Sequence, residues 1–194
     1  MLKQSRNALT HLAKRYRAVL RRCRLRALAL ALACALTALP PLPAGANSGG
    51  TDDGFGRYIG SQTGSDGNVF IDSDFQGDVY GGFIMRSPKD AYNNRVTVTG
   101  GTVGAVIGGY SDDGDAMNNM VSISGGTVLG NVIGGRGNDR TNATYNKIIL
   151  SGAPDLSRSE IFGGISPGRY EDLITGNHLI LQTSGLTAKN IKNF

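Results

Sequence analysis

Two pairs of carboxylates are the residues whose types could do chemistry here: Asp72 with Asp74, and Asp78 with Glu160. A glycosidase needs two such groups, one to protonate the leaving oxygen and one to attack or activate water, roughly 5–9.5 Å apart. Asp72 and Asp74 would share one face of a strand, but nothing beside them in sequence supports catalysis, so they read as a solvated face. Asp78 and Glu160 occupy the same position of a repeat three copies apart, about 14 Å at the spacing of stacked strands, which is too far for a pair. His178 is the only histidine after residue 46, and Cys23 and Cys34, the only cysteines, both lie before that point. Cys/His catalysis, a cysteine zinc site and a disulfide framework are thereby excluded from the later segment. A Ser-His-Asp site would have to recruit His178, which faces outward by register and has no nucleophile-elbow sequence to serve. The expectation is a protein that is not an enzyme, with no catalytic residue.

Hard cations are the next case. Gly134-Gly135-Arg136-Gly137-Asn138-Asp139 is similar to the opening of the glycine-rich nonapeptide that binds Ca²⁺ in parallel β-rolls, but it occurs once, and those sites need tandem copies. Asp112-Asp113-Gly114-Asp115 is an acidic turn without a distal Glu in a fixed loop. Both read as turns. No Gly-Lys-Ser/Thr follows any strand, so a phosphate loop is absent. No cofactor and no metal ligand are expected, with weak Ca²⁺ binding the one alternative left open.

What must position any functional residue is a chain of two unlike parts. Residues 1–46 hold nine of the 20 Lys/Arg, none of the 15 Asp/Glu, both Cys and one of the 29 Gly. The remainder keeps 11 basic and 15 acidic side chains, a net charge of −4, which excludes a basic nucleic-acid binder despite the overall +5. The basic stretch through Arg26 leads into the apolar run Ala27–Leu39, and Pro40, Pro41 and Pro43 then end any helix. Ala44-Gly45-Ala46 supplies the small residues that signal peptidase needs, so residues 1–46 read as a signal peptide cleaved after Ala46. A membrane anchor is disfavoured, because thirteen apolar residues span about 20 Å as a helix against the ~30 Å of a bilayer core.

The second part is a repeat. Asn94-Arg95-Val96-Thr97-Val98-Thr99-Gly100-Gly101-Thr102-Val103 returns as Asn119-Met120-Val121-Ser122-Ile123-Ser124-Gly125-Gly126-Thr127-Val128, and each runs on into Val-Ile-Gly-Gly. Five copies, with a period of 25 to 31 residues, align four apolar positions. The first reads Val69, Val96, Val121, Ile148 and Leu179, and the second Ile71, Val98, Ile123, Leu150 and Leu181. The third reads Phe75, Val103, Val128, Leu156 and Leu186, and the fourth Val79, Val106, Val132, Ile161 and Ile191. Alternation of β-branched with polar residues is the signature of a strand with one buried face. No copy can bury its apolar row alone, so stacking is required. The predicted fold is all-β: a parallel β-solenoid, specifically a right-handed β-helix of about five coils, near residues 68–92, 93–118, 119–145, 146–176 and 177–194. Residues 47–67 are read as a Gly/Ser/Asp-rich lead-in or cap, and the double glycines as sharp bends that need positive φ.

Asn94, Asn119, Asn146 and Asn177 each fall two residues before the first apolar position. They are read as a structural ladder of side-chain hydrogen bonds, or else as residues that suit a turn. The insertions after the double glycines are polar and variable, and in repeat folds such loops carry the binding face. Tyr110, Arg136, Arg140 and Tyr170 are the candidate contacts there, being of types enriched at binding hot spots.

With the signal, the Asn-x-Val-x-Val/Ile-x-Gly-Gly-Thr-Val…Val-Ile-Gly-Gly units and the closing stretch Ser184–Phe194 in view, the sequence resembles the passenger region of a bacterial autotransporter (type V secretion). That resemblance implies a Gram-negative envelope, export, and a place in the periplasm, on the cell surface or in the medium. It departs from the family in lacking a carboxy-terminal β-barrel, so the chain is read as a truncated passenger fragment with an open last coil. The expected role is a non-enzymatic surface or adhesin-type protein that meets a host-surface or glycan ligand. Nucleic acid is not a partner, the membrane is met only during export, and self-association through the exposed solenoid ends is open. The alternatives are a polysaccharide-binding or processing β-helix and a decayed, truncated gene product.

Overall fold

A computed structural model describes residues 46–138, 141–167 and 174–194. The signal segment up to residue 45, with Ala44, and the candidate contacts Arg140 and Tyr170 lie outside the described residues; Ala46 is exposed at the start of the described chain.

The strands fall into rungs. A lead segment holds β1 (Thr51–Asp52) and β2 (Arg57–Ser61), and the first rung holds β3 (Asn68–Ile71), β4 (Asp78–Ile84) and β5 (Ala91–Tyr92). The second holds β6 (Arg95–Val98), β7 (Thr102–Val103), β8 (Val106–Ser111) and β9 (Ala116–Met117). The third holds β10 (Met120–Ile123), β11 (Thr127–Val128) and β12 (Val132–Arg136). β13 (Lys147–Leu150) and β14 (Leu156–Ile165) form the fourth, β15 (His178–Leu181) and β16 (Ala188–Lys192) the last.

Like strands stack on like. One wall is the five-stranded sheet β15-β13-β10-β6-β3, the other the seven-stranded sheet β1-β2-β4-β8-β12-β14-β16. Among the described residues every ladder is parallel except β1 on β2. The chain is therefore a parallel β-solenoid of about four turns, and the repeat dictates it: Val69, Val96, Val121, Ile148 and Leu179 pair in one column. Columns one to four meet inside as one core, in which Val69, Val96, Val121, Ile148, Val106 and Val132 have no exposed surface, while Leu181 and Ile191 of the last rung remain exposed.

Three details differ from the sequence reading. The lead segment has its own strand: β2 lies parallel on β4 with Tyr58 opposite Val79, and the Tyr58 ring meets Phe75 edge-on at 5.4 Å, plugging that end of the core. In the last rung a register shift between Leu156 and Glu160 sets Ala188, not Leu186, opposite Leu156, and Leu186 packs on the core without a strand partner. The double glycines are not bends. Gly81-Gly82, Gly108-Gly109, Gly134-Gly135 and Gly163-Gly164 lie inside β4, β8, β12 and β14, and none has positive φ. They are small because the next rung and the facing wall both come close: a Cβ on Gly81, Gly108 or Gly134 would press on the carbonyl of the next rung's glycine, and one on Gly81, Gly108, Gly134 or Gly163 would sit 2.6–2.9 Å from the Cβ of Asn94, Asn119, Asn146 or Asn177.

The bends fall elsewhere. Gly101, Gly126, Gly152 and Gly185 form one column with positive φ, and Asp66, Asn93, Asn118, Tyr145 and Gly176 form another, one residue ahead of the ladder position.

Candidate functional site

The four asparagines are brought together inside the solenoid. Nδ2 of Asn94 donates to Oδ1 of Asn119 at 2.9 Å, Asn119 to Asn146 at 3.0 Å, and Asn146 to Asn177 at 3.1 Å. The same Oδ1 atoms accept from the backbone N–H of the preceding Asn, at 3.1, 3.0 and 2.9 Å. The second Nδ2 proton goes to a loop carbonyl: Gly64 from Asn94, Ala91 from Asn119, Ala116 from Asn146, Ala143 from Asn177. Every side-chain donor and acceptor of an inner Asn is thus satisfied without water, as burial demands. The ladder also ties the insertions to the rod, since Ala91, Ala116 and Ala143 are themselves fully buried.

Of the contact residues read onto the loops, Tyr110 and Arg136 are placed differently: they stand in strands β8 and β12, on the outward side of the seven-stranded wall. Strand register puts Phe83, Tyr110 and Arg136 in one column. The Phe83 and Tyr110 rings stack at 5.1 Å between centroids and 18° between planes. Arg57 caps the outer face of Phe83 at 4.6 Å and Arg136 that of Tyr110 at 5.8 Å, while Tyr80 meets both rings edge-on. Arg57 is held there by Asp53 through its Nε. The run Arg57–Phe83–Tyr110–Arg136 is a pair of stacked rings capped by a cation at each end, so what it offers solvent is ring edges and the free side of the Arg136 guanidinium. Outward strand residues resemble loop residues in a sequence, so the repeat pattern does not reveal this column.

Two consequences can be measured. A double-mutant cycle on Phe83→Ala and Tyr110→Ala, read by urea denaturation, should give a coupling of about 0.5–1.5 kcal/mol, the size of one aromatic pair. Burial, followed by the hydrogen bond its hydroxyl donates to Asp112, pushes the Tyr110 phenol up to about 12. The folded state therefore holds this proton more tightly than the unfolded chain. The resulting stability is present below pH ~10 and is lost as pH rises towards 12. A tyrosinate absorbance titration should show a late phase, to which Tyr80, also raised by burial, contributes, and Tyr110→Phe should reduce its amplitude.

The carboxylates serve the rungs. Asp72 Oδ1 accepts from the Thr99 hydroxyl at 2.9 Å, Asp74 from the Thr102 amide at 2.7 Å, and Asp78 from the Ala105 amide at 2.7 Å. Glu160 faces Lys192 at 3.7 Å. Of the acidic turn, Asp112 accepts from Asn138 at 3.1 Å and Asp115 from the Asn142 amide at 2.7 Å, both in the next loop. Among the described residues no three His, Cys, Asp or Glu converge as a metal site. His178 is exposed at the start of β15, facing out as its register predicts.

Fold and surface together define the class: an all-β, parallel β-solenoid repeat protein of about four turns. No protein-family model, curated protein or solved structure matches the chain.

Proposed function

We propose that this chain is an exported protein like an autotransporter passenger that works by passive surface contact, as a non-enzymatic adhesin-type rod at the Gram-negative cell surface. The observation that carries the reading is the use made of the acidic side chains. Asp72, Asp74 and Asp78, the residues best suited to sugar chemistry, each accept a hydrogen bond from the next rung. They stiffen the rod, and a stiff rod presents its outward columns at fixed spacing, which lowers the ordering cost of each contact. The export half of the proposal rests on the basic, apolar and small-residue order of residues 1–46.

The test has two readouts. Expressed with its own leader in a Gram-negative host, the chain should be recovered outside the cytoplasm with Asn47 at its amino terminus. The purified protein should be retained on envelope or host-cell polysaccharide without releasing new reducing ends. Cytoplasmic retention with residue 1 intact would remove the export proposal. Release of reducing ends would transfer the assignment to a polysaccharide-processing β-helix.

A further inference from the structure

The column of left-handed residues ahead of the ladder contains one misfit. Asp66, Asn93, Asn118 and Gly176, with φ of 59°, 58°, 55° and 66°, are types that tolerate this backbone region, but Tyr145 holds φ 56° with a bulky aromatic side chain. A strained residue persists where its surroundings over-determine it, and such residues gather at functional sites. The surroundings are specific. A Cβ on Gly176 would lie 2.6 Å from Tyr145 Cδ1 and 2.7 Å from Cε1, so the ring is seated over a glycine that leaves room for it. It nevertheless remains 62 % exposed.

The ring lines a groove of about 280 Å³ on the outer side of the five-stranded wall, together with Asn93, Asn118, Arg95, Met120 and Lys147. Register sets Arg95, Met120 and Lys147 in one axial column, so the two cations stand two rungs apart, roughly 10 Å at the strand spacing. Among the described residues neither cation has an ion-pair partner. The lining therefore combines a flat apolar face, two spaced positive charges and the carboxamides of Asn118 and Asn93, the latter already donating from Nδ2 to Asp66 Oδ1 at 2.6 Å. That set matches a pyranose chain bearing anionic groups: C–H faces for the ring, hydroxyls for the carboxamides, carboxylates or sulfates for the cations.

We infer that the groove between Arg95 and Lys147, floored at one end by the Tyr145 ring, is a binding site for an acidic oligosaccharide. The inference supplies a ligand class to the surface-contact reading above and rests on it only for that purpose. Titration of the full chain with short oligogalacturonates, sulfated oligosaccharides and neutral homologues tests it directly. Acidic chains should bind in preference to neutral ones, with affinity falling as salt rises. The decisive variant is Tyr145→Asn, which restores the residue type found at Asn93 and Asn118. It should weaken binding roughly tenfold or more while leaving the thermal midpoint unchanged or raised. Lys147→Gln should weaken binding and flatten its salt dependence.

Undiminished binding by the folded Tyr145→Asn protein would overturn the site, as would a lowered midpoint showing that Tyr145 is held for stability alone. Equal affinity for neutral and acidic chains, or no binding by the folded wild-type protein, would overturn the ligand class. Retention on cells that survives Tyr145→Asn would leave the surface-contact reading standing without this groove.

Discussion

Replacing Asn119 by Ala should destabilise the protein by about 4 kcal/mol, measured by denaturant unfolding, a loss built from several buried polar groups at roughly 1–3 kcal/mol each. The substitution strips partners from the amide and Nδ2 of Asn94, the Oδ1 of Asn146 and the carbonyl of Ala91 in one step. Asn146 Oδ1 keeps the backbone N–H of residue 119, so its loss is partial; the Asn94 side chain is left with Gly64 alone for its two protons. Asn119→Asp tests the same point differently, because it keeps the shape but loses both Nδ2 protons and sets a carboxylate against the Oδ1 of Asn146. It should cost at least as much as Ala. A change at an outward position of the same rung, Ser122→Ala, should stay within about 0.5 kcal/mol.

The second large effect concerns glycine used for its size. Gly108→Ala should cost about 3 kcal/mol, the upper end for overpacking, because its Cβ would press on the Gly134 carbonyl and lie 2.9 Å from Asn119 Cβ. The first of these contacts is backbone in the next rung and the second belongs to a fully bonded ladder residue, so neither can step aside cheaply. Gly185→Ala is the informative contrast. Gly185 has φ of 79° and nothing within 4 Å of an added Cβ, so Ala there bears only the left-handed penalty of about 1 kcal/mol. Were the double glycines needed for bending, the two substitutions would cost alike.

That contrast also marks what a sequence can convey. The four apolar columns are legible because alternation and a repeat reinforce each other: Val96 and Val121 have the same neighbours and the same fate. The asparagine column is legible for the same reason, since one polar residue recurs just ahead of each inward row and two residues on a strand share a face. The double glycines are legible as glycine but not as a reason, because positive φ and close approach both select for a missing Cβ, and only the neighbouring rung and the facing wall decide between them. β2 escapes notice because Arg57–Ser61 carries a single aliphatic residue, Ile59; its place is set by pairing with β4 rather than by its own pattern. Tyr110 and Arg136 read in the sequence as loop residues yet stand in strands, since an outward strand position and a loop make the same demand on polarity. The carboxylate roles could not be read at all: whether Asp78 serves a substrate or the Ala105 amide depends on what the next rung brings within 2.7 Å.

The most direct test of the account is amide hydrogen exchange followed residue by residue on the folded protein. The backbone amides of Asn94, Asn119 and Asn146 donate to side-chain oxygens one rung onward, so they mark the ladder rather than any sheet. These three should exchange among the slowest amides of the protein, together with Val96–Val98 and Val121–Ile123, and only through global unfolding. Fast exchange at the three asparagines while the neighbouring strands stay protected would mean that the ladder does not form and that the rungs are held by their sheets alone.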